Sequence, residues 1–417
     1  MDRMPDKPSA TVIGAGIVGI CCAAYLQREG YAVEVVDPEL PGTQCSHGNA
    51  GGICPGSCVP IAMPGMLGKV PGWLLDPEGP LYIRLAYLPQ AMPWVARLLL
   101  ASRKNRVEHI STAMRNLHRL TFECYEPLLR EAGCAHLVVQ RGQLFVFEKP
   151  NAIDFSDYGL TLRRERGVRV EILDRDELRQ LEPSLAPIFN TGVYLPEQGQ
   201  CSNPGKLVQM LAAHLERNGA VFTRARVQGF EFGDRGVTAL VTDSGRRPVK
   251  NVVVAAGAWS GRLAIQLGSR VPLETERGYH VMVDGQDAGL RIQTIWSDRK
   301  FVASPMEEGM RFAGTVELAG LSAPPNMARA DLLLKQGLQM FPQLKPQTTR
   351  RWMSHRPGMP DTIPVIDGSP RHLNAYFAFG HGHMGLIGGS VTGKLISEMV
   401  AGKPTGIDVK PYRVTRF

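Results

Sequence analysis

The sequence predicts a two-part fold: an α/β unit on a parallel sheet, interleaved along the chain with an α+β unit on an antiparallel sheet. Three observations predict it. Ala10 to Gly30 runs from an apolar stretch through a glycine-rich turn into a helical pattern. Gly380 to Val400 repeats the glycine-rich turn and helix at the far end of the chain. Between them, residues 279–315 alternate in the way of antiparallel strands. A chain of 417 residues is long for one core, which suits two units.

The elements follow in order. Ala10 to Ile13 is an apolar strand, Gly14 to Gly19 the turn, Ile20 to Glu29 a helix closed by Gly30, and Val33 to Val36 a second strand ended by Asp37. Gly42 to Gly72 is rich in Gly, Pro and small polar residues and too long for an idle connection. Leu81 to Ser102 reads as loop plus helix, and Ser111 to Ala132 as one long amphipathic helix. Gly142 to Phe147 is a strand; Gly167 to Glu182 gives a short strand and a helix starting at Asp174 or Asp176. Asn203 to Asn218 is a helix with Asn203 as N-cap and Pro204 at its first position. Strands are expected at Ala220 to Thr223, Val227 to Phe232, Val237 to Thr242 and Asn251 to Ala255. Tyr279 to Val283, Phe301 to Pro305 and Met310 to Thr315 alternate, with Met306 to Gly309 as a hairpin turn. Tyr376 to Phe379 is a last strand, Gly380 to Gly389 a loop and Ser390 to Val400 a helix.

Composition narrows the function. Hydrophobic residues make up 44% and charged residues 21%, which is ordinary for globular proteins. No apolar run approaches the ~20 residues that cross a bilayer, and Met1 to Ser9 lacks the apolar stretch of a secretory signal. The eight cysteines form neither CxxC pairs nor a Cys/His zinc pattern, which points to reduced, packed thiols and a cytoplasmic setting. The net charge of +8 is spread along the chain without basic–aromatic runs, so nucleic acid is not an expected partner. Such a charge suits anionic substrates or a lipid surface, and equally a solvated basic surface.

Gly14-Ala15-Gly16-Ile17-Val18-Gly19 carries the strongest chemistry. Gly14 permits the tight turn, Gly16 lets backbone approach a pyrophosphate, and Gly19 allows helix and strand to pack closely. Asp37, followed by Pro38, ends the next strand where an acid hydrogen-bonds a ribose hydroxyl. FAD and NAD share this Rossmann-like fingerprint. Three further small-residue segments favour the larger cofactor: the loop Ser46, His47, Gly48, Asn49, Ala50, Gly51, Gly52; the strand end Ala255, Ala256, Gly257 with Trp259; and the turn His381, Gly382, His383, Met384, Gly385 with Leu386 and Ile387. A late helix N-terminus suits the flavin edge that gains negative charge on reduction. Val227 is expected at the same cofactor. His381 and His383 lack a third ligand nearby in sequence, so no metal is expected.

Taken together, GAGIVG, SHGNAGG, VVVAAGAWSG, RGYH, HRPGMPDTIPVI and FGHGHMGLIGGSVTG resemble, in order, the D-amino acid oxidase/dehydrogenase family of FAD-dependent oxidoreductases. The likeness is nearest to the small subunit of bacterial D-amino acid dehydrogenase and spans about Thr11 to Gly402. It implies a Rossmann-like FAD-binding domain from residues 8–60, 200–265 and 350–410, interleaved with a substrate-binding domain from 61–199 and 266–349. It implies that Arg356 holds a substrate carboxylate, for which a guanidinium has the right paired donors. It places Tyr279 on a strand that reaches the substrate cavity, and His381 and His383 in a loop that wraps the flavin or lines the active site. His355 departs from the apolar residue usual before the Arg-Pro, and either faces the substrate or packs. Relatives that bind flavin covalently carry a cysteine near Arg356; Ser354 and His355 stand here, which implies non-covalent FAD.

The implied reaction is hydride transfer from Cα of an amino acid to flavin N5, giving an imine that hydrolyses. No strong base is needed at Cα, and orientation supplies much of the rate. Three substrate groups stay open: ordinary D-amino acids, cyclic ones such as D-proline or cis-4-hydroxy-D-proline, and N-methyl amino acids or glycine. A 2-hydroxy acid would need a base, for which His355 or His383 could serve. A non-catalytic binding module would need neither Arg356 nor the third glycine-rich loop. The electron acceptor is a quinone or carrier, or oxygen. Ile61 to Leu75 and Leu81 to Leu100 are apolar enough either to touch the inner membrane peripherally or to pack as core or lid.

Overall fold

The structure, a computed structural model, describes residues 7–66, 68, 72, 76, 78–79, 81–150, 152–153, 157–234 and 236–417. Parts of three expected segments, Met1 to Ser9, Gly42 to Gly72 and Ile61 to Leu75, lie outside the described residues.

A six-stranded sheet carries the first unit, in the order Val221–Arg224, Ala32–Asp37, Ser9–Ile13, Val252–Val254, Ala375–Phe379, Val365–Gly368. The first five strands run parallel and only the last is antiparallel. Parallel strands buried on both faces read as continuous apolar runs, and Val252, Val253 and Val254 are fully buried. Two helices cross on one face of this sheet. Ile17–Arg28 packs against Gly385–Val400, where a Cβ on Gly393 would lie 2.5 Å from the backbone of Cys21.

The late helix therefore begins at Gly385, not at Ser390 as its glycines suggested. Glycine costs a helix backbone entropy, but here the close crossing requires small residues. The expected helix Ser111 to Ala132 is two, Lys104–His118 and Thr121–Glu131. At the break, Thr121 Oγ1 donates to the carbonyls of His118 and Ile387. The helix after Asn203 has the expected cap: the Asn203 side chain accepts from the amide of Lys206.

The second unit is a nine-stranded sheet, in the order Thr349–Gly358, Glu274–Asp284, Gly309–Leu318, Phe301–Met306, Gln293–Trp296, Gln143–Phe147, Thr191–Leu195, Glu171–Leu173, with Leu81–Ile83 branching from Gly309–Leu318. It is antiparallel except for two parallel pairings, Gln293–Trp296 with Gln143–Phe147 and Gly309–Leu318 with Leu81–Ile83. The strand Thr349–Gly358 is the edge of this sheet and pairs along Glu274–Asp284. A domain boundary at residue 350 would cut it, so Arg356 stands on the second unit's sheet rather than on the first. Among the described residues no helix is long and apolar enough to cross a membrane.

Candidate active site

A cleft of about 510 Å³ follows the glycine-rich turn. The turn is built as its residues dictate. Gly14 has φ +117°, and a Cβ there would lie 2.3 Å from the carbonyl oxygen of Ala255. A Cβ on Gly19 would lie 1.9 Å from the carbonyl oxygen of Gly14. Those two glycines are demanded by packing. Gly16 is different: a Cβ there would meet only Ser46 Oγ, at 3.5 Å, and the residue lines the cleft. Its smallness matters to whatever the cleft holds. Asp37 accepts from the amide of Ala15 at 2.7 Å and from that of Glu39 at 2.8 Å. Burial raises its carboxyl above the ordinary range, and these two amides oppose the rise.

Of the residues expected around a cofactor, Gly14, Gly16, Ile17, Val18, Asp37, Pro38, Ser46, Asn49, Val227, Ala255, Ala256, Gly257, Trp259, His381, Gly382, Gly385 and Leu386 line the cleft. Gly19, His47, Ala50, Gly51, Gly52, Met384 and Ile387 do not. The loop from Ser46 to Gly52 is strapped down by the second unit. Arg311 Nη1 donates to the carbonyls of His47 and Asn49, and Gln293 and Ser304 donate to that of Ala50. A Cβ on Gly48 would fall inside the Trp352 ring, and one on Gly51 would lie 2.3 Å from the carbonyl oxygen of Cys201. The small residues of that loop thus serve packing as much as ligand approach. His47 faces Trp352 and His280 instead. His381 is buried, with Nε2 2.8 Å from Thr392 Oγ1, and burial lowers its pKa to about 3.

The chain adds lining residues that the motifs did not single out, among them Glu39, Gln44, Cys45, Arg226, Gln228 and Arg262. Several neighbour expected ones, and that adjacency was the only signal. Cys45 matters most. No cysteine stands beside Arg356 along the chain, yet folding brings Cys45 within electrostatic reach of Arg356 and beside Ser354. Burial raises its thiol above the usual range, with Arg356 and Ser354 opposing. A thiol kept protonated is a poor nucleophile.

His355 and Pro357 line the cleft; Arg356, between them on the edge strand, is not among the lining residues and its side chain leaves the other face of the strand. The Arg356 guanidinium lies over Gly278 of the neighbouring strand, where a Cβ would come within 2.2 Å of Cζ. Nη1 donates to the carbonyl of Thr315 at 3.2 Å. His355 packs edge-on to Trp259 and holds Nδ1 3.0 Å from Thr275 Oγ1. Burial, with Arg277 nearby, lowers its pKa to about 4, so it is neutral at pH 7. His383 is exposed, and its carbonyl receives the Asn49 side-chain amide. Tyr279 does not line the cleft: it is 1% exposed, its hydroxyl donates to Glu317 and it accepts from the amide of Asn326. Among the described residues no group of three or more His, Cys, Asp or Glu is placed to hold a metal ion.

The cleft fits FAD on this geometry. It offers a glycine open toward the ligand at a helix N-terminus, an acid at the end of the second strand, and two glycines at φ +55°, Gly257 and Gly382, with nothing within 4 Å of their Cβ positions.

Comparison with known proteins agrees. A family model described as FAD dependent oxidoreductase matches residues 9–399. A D-amino-acid oxidase of Bradyrhizobium diazoefficiens is 40% identical over 421 residues, covering 99% of this chain and all of the relative. A D-amino acid dehydrogenase of the same organism is 30% identical, covering 97% of this chain and 98% of the relative. Among solved structures, L-proline dehydrogenase from P. horikoshii superposes with a TM-score of 0.76 at 18% identity, covering 99% of this chain and 98% of that one. At that identity the likeness is one of fold.

Proposed function

The chain belongs to the family of FAD-dependent oxidoreductases, and on that premise we propose that it deaminates D-amino acids oxidatively. The observation that carries the reading is Arg356: a guanidinium flanked by two cleft-lining residues, with one backbone partner and room made for it by Gly278. A planar fork with donors left free, within electrostatic reach of the cleft-lining Cys45, suits a carboxylate. The names of the two curated relatives support the D-configuration.

FAD, when bound, accepts the hydride that leaves the substrate. The protein's own part is to bind and orient. Gly14, Gly16 and Asp37 would hold the dinucleotide end of the cofactor, with Gly19 packing the turn behind them. Gly382, Gly385 and Leu386 would meet its ring end. We propose that attachment is non-covalent: no cysteine adjoins Arg356 along the chain, and burial raises the Cys45 thiol away from the reactive thiolate. Arg356 would fix the carboxylate and thereby the position of Cα, and fixing reacting atoms in place is a large contribution to rate. His355, neutral and partnered by Thr275, would line the substrate side. Tyr279 has no free hydroxyl for a substrate and acts in the sheet.

The test is anaerobic bleaching of the flavin by a panel of D- and L-amino acids, sarcosine and 2-hydroxy acids. D-proline and cis-4-hydroxy-D-proline belong in it, since a small ring amine carries the same carboxylate and Cα–H. Bleaching by D-amino acids alone is expected; bleaching by sarcosine or 2-hydroxy acids alone would refute the reading. For the acceptor, the 40% relative named an oxidase supports oxygen. A quinone at a lipid surface is supported by the helix Leu88–Ala101, where Leu88, Met92 and Leu100 are exposed, and by the absence of any acid between Leu81 and Val107. Oxygen uptake measured against reduction of a soluble quinone separates the two.

A further inference from the structure

Glu276 stands directly opposite Arg356 in the register of the two strands, so both side chains leave the same face of the sheet. They lean apart. The guanidinium lies over Gly278 of the one strand, and the Glu276 carboxyl lies over Gly358 of the other, where a Cβ would come within 2.5 Å of Oε1. Among the described residues no contact ion pair joins them. Glu276 is 3% exposed, and its Oε2 has no hydrogen-bond partner. Beside them Thr315, at φ +55° and 7% exposed, gives its carbonyl to Arg356 and leaves Oγ1 without a partner. A buried carboxyl oxygen with nothing to accept is costly and calls for a ligand.

We propose that Glu276 receives the α-ammonium of the substrate while Arg356 receives the carboxylate, so that the site reads an amino acid by both charges at once. This rests on the amino acid reading above. In the bound zwitterion one N–H bond of the ammonium breaks, an O–H bond forms on Glu276, and the nitrogen keeps its electron pair. The neutral amine is the form from which hydride can leave Cα. Glu276 is suited to hold that proton near neutral pH: burial pushes its carboxyl up to about 7, Arg356 pulls it down and Glu274 pushes it up. Cys45 and His383 both lie within electrostatic reach of Arg356. The arrangement favours an amine over a hydroxyl at Cα, since only the amine arrives with a charge to pair.

The experiment titrates FAD-loaded Glu276→Gln anaerobically with matched pairs: D-alanine against propionate, and D-proline against cyclopentanecarboxylate. Loss of the ammonium partner should weaken the amino acid about tenfold to a hundredfold. The amine-free acid should change by less than about threefold or tighten, because a neighbouring negative charge has gone. Equal weakening of both members, or no weakening of the amino acid, overturns the proposal. If the Gln variant does not retain FAD, Gly358→Ala, which displaces Oε1, must show the same selective loss; equal loss there overturns it too. A wild type bleached by no D-amino acid sinks the amino acid reading itself. A wild type that is bleached beside an unaltered Glu276→Gln sinks only the role of Glu276.

Discussion

Replacing Arg356 by alanine tests the substrate reading most directly. Arginine carries five N–H donors, and the structure commits one nitrogen, Nη1, to the carbonyl of Thr315. The others remain for a ligand. Removing the guanidinium strips a carboxylate in a partly buried site of a charge-assisted, paired contact. A lost charged hydrogen bond costs about 1.5–3 kcal/mol, and a bidentate pair more. Each 1.4 kcal/mol is about a factor of ten, so kcat/KM should fall by about tenfold to a hundredfold or beyond. Stopped-flow flavin reduction under anaerobic conditions reads the effect, with FAD content measured on the same sample. FAD should stay near the wild-type level. Arg356→Lys should recover part of the loss, because one ammonium cannot reproduce the fork. Gly278→Ala should imitate the defect with Arg356 still present, since its Cβ would lie 2.2 Å from Cζ. The decarboxylated amine should be a poor wild-type substrate and indifferent to the mutation. Full activity of Arg356→Ala with FAD intact would refute the carboxylate role and remove the main support for an amino acid substrate.

Gly16→Val should fold and lose FAD, because the protein leaves room at that Cβ and only a ligand would be displaced; a yellow, active variant would misplace the cofactor. Acid precipitation of the wild type should leave FAD in the supernatant, and flavin that stays in the pellet but is released from Cys45→Ser would reverse the non-covalent assignment. Gly393→Ala should destabilise by about 1–3 kcal/mol in denaturant unfolding, as its Cβ meets the Cys21 backbone. Glu182 is 1% exposed and its Oε2 lacks a partner, while Oε1 accepts from the amides of Arg291 and Ile292. Burial pushes its pKa up to about 7 from 4.5. Between those values the unfolded chain has lost a proton that the folded one keeps, so this residue's contribution to stability falls as pH rises through the window. Glu182→Gln should flatten that decline and be the more stable protein at pH 8; an unchanged pH profile would contradict the assignment.

The sequence by itself determined the parts whose physics is local. The turn from Gly14 to Gly19 needs glycine for reasons contained in a few residues, and Asp37 ends the strand beside it. The cap at Asn203 is equally local, and the structure has each of these; the central strands form where expected but are buried nearly throughout instead of on alternate residues. Glycines misled where their reason was distant. Gly385, Gly388 and Gly389 looked like loop because nothing nearby shows that this helix packs along Ile17–Arg28, close to Ile17 at Gly385 and Gly389. Gly278 and Gly358 carried no signal, since each makes room for a charge on the facing strand. Tertiary structure alone moved Arg356 onto the antiparallel sheet, withdrew Tyr279 into a bond with Glu317 and carried Cys45 to Arg356 across 311 residues of sequence. It alone set Glu276 opposite Arg356. Register between strands is decided by side chains that meet only once both sheets have formed, so pairs of opposite charge across strands cannot be read from either strand alone.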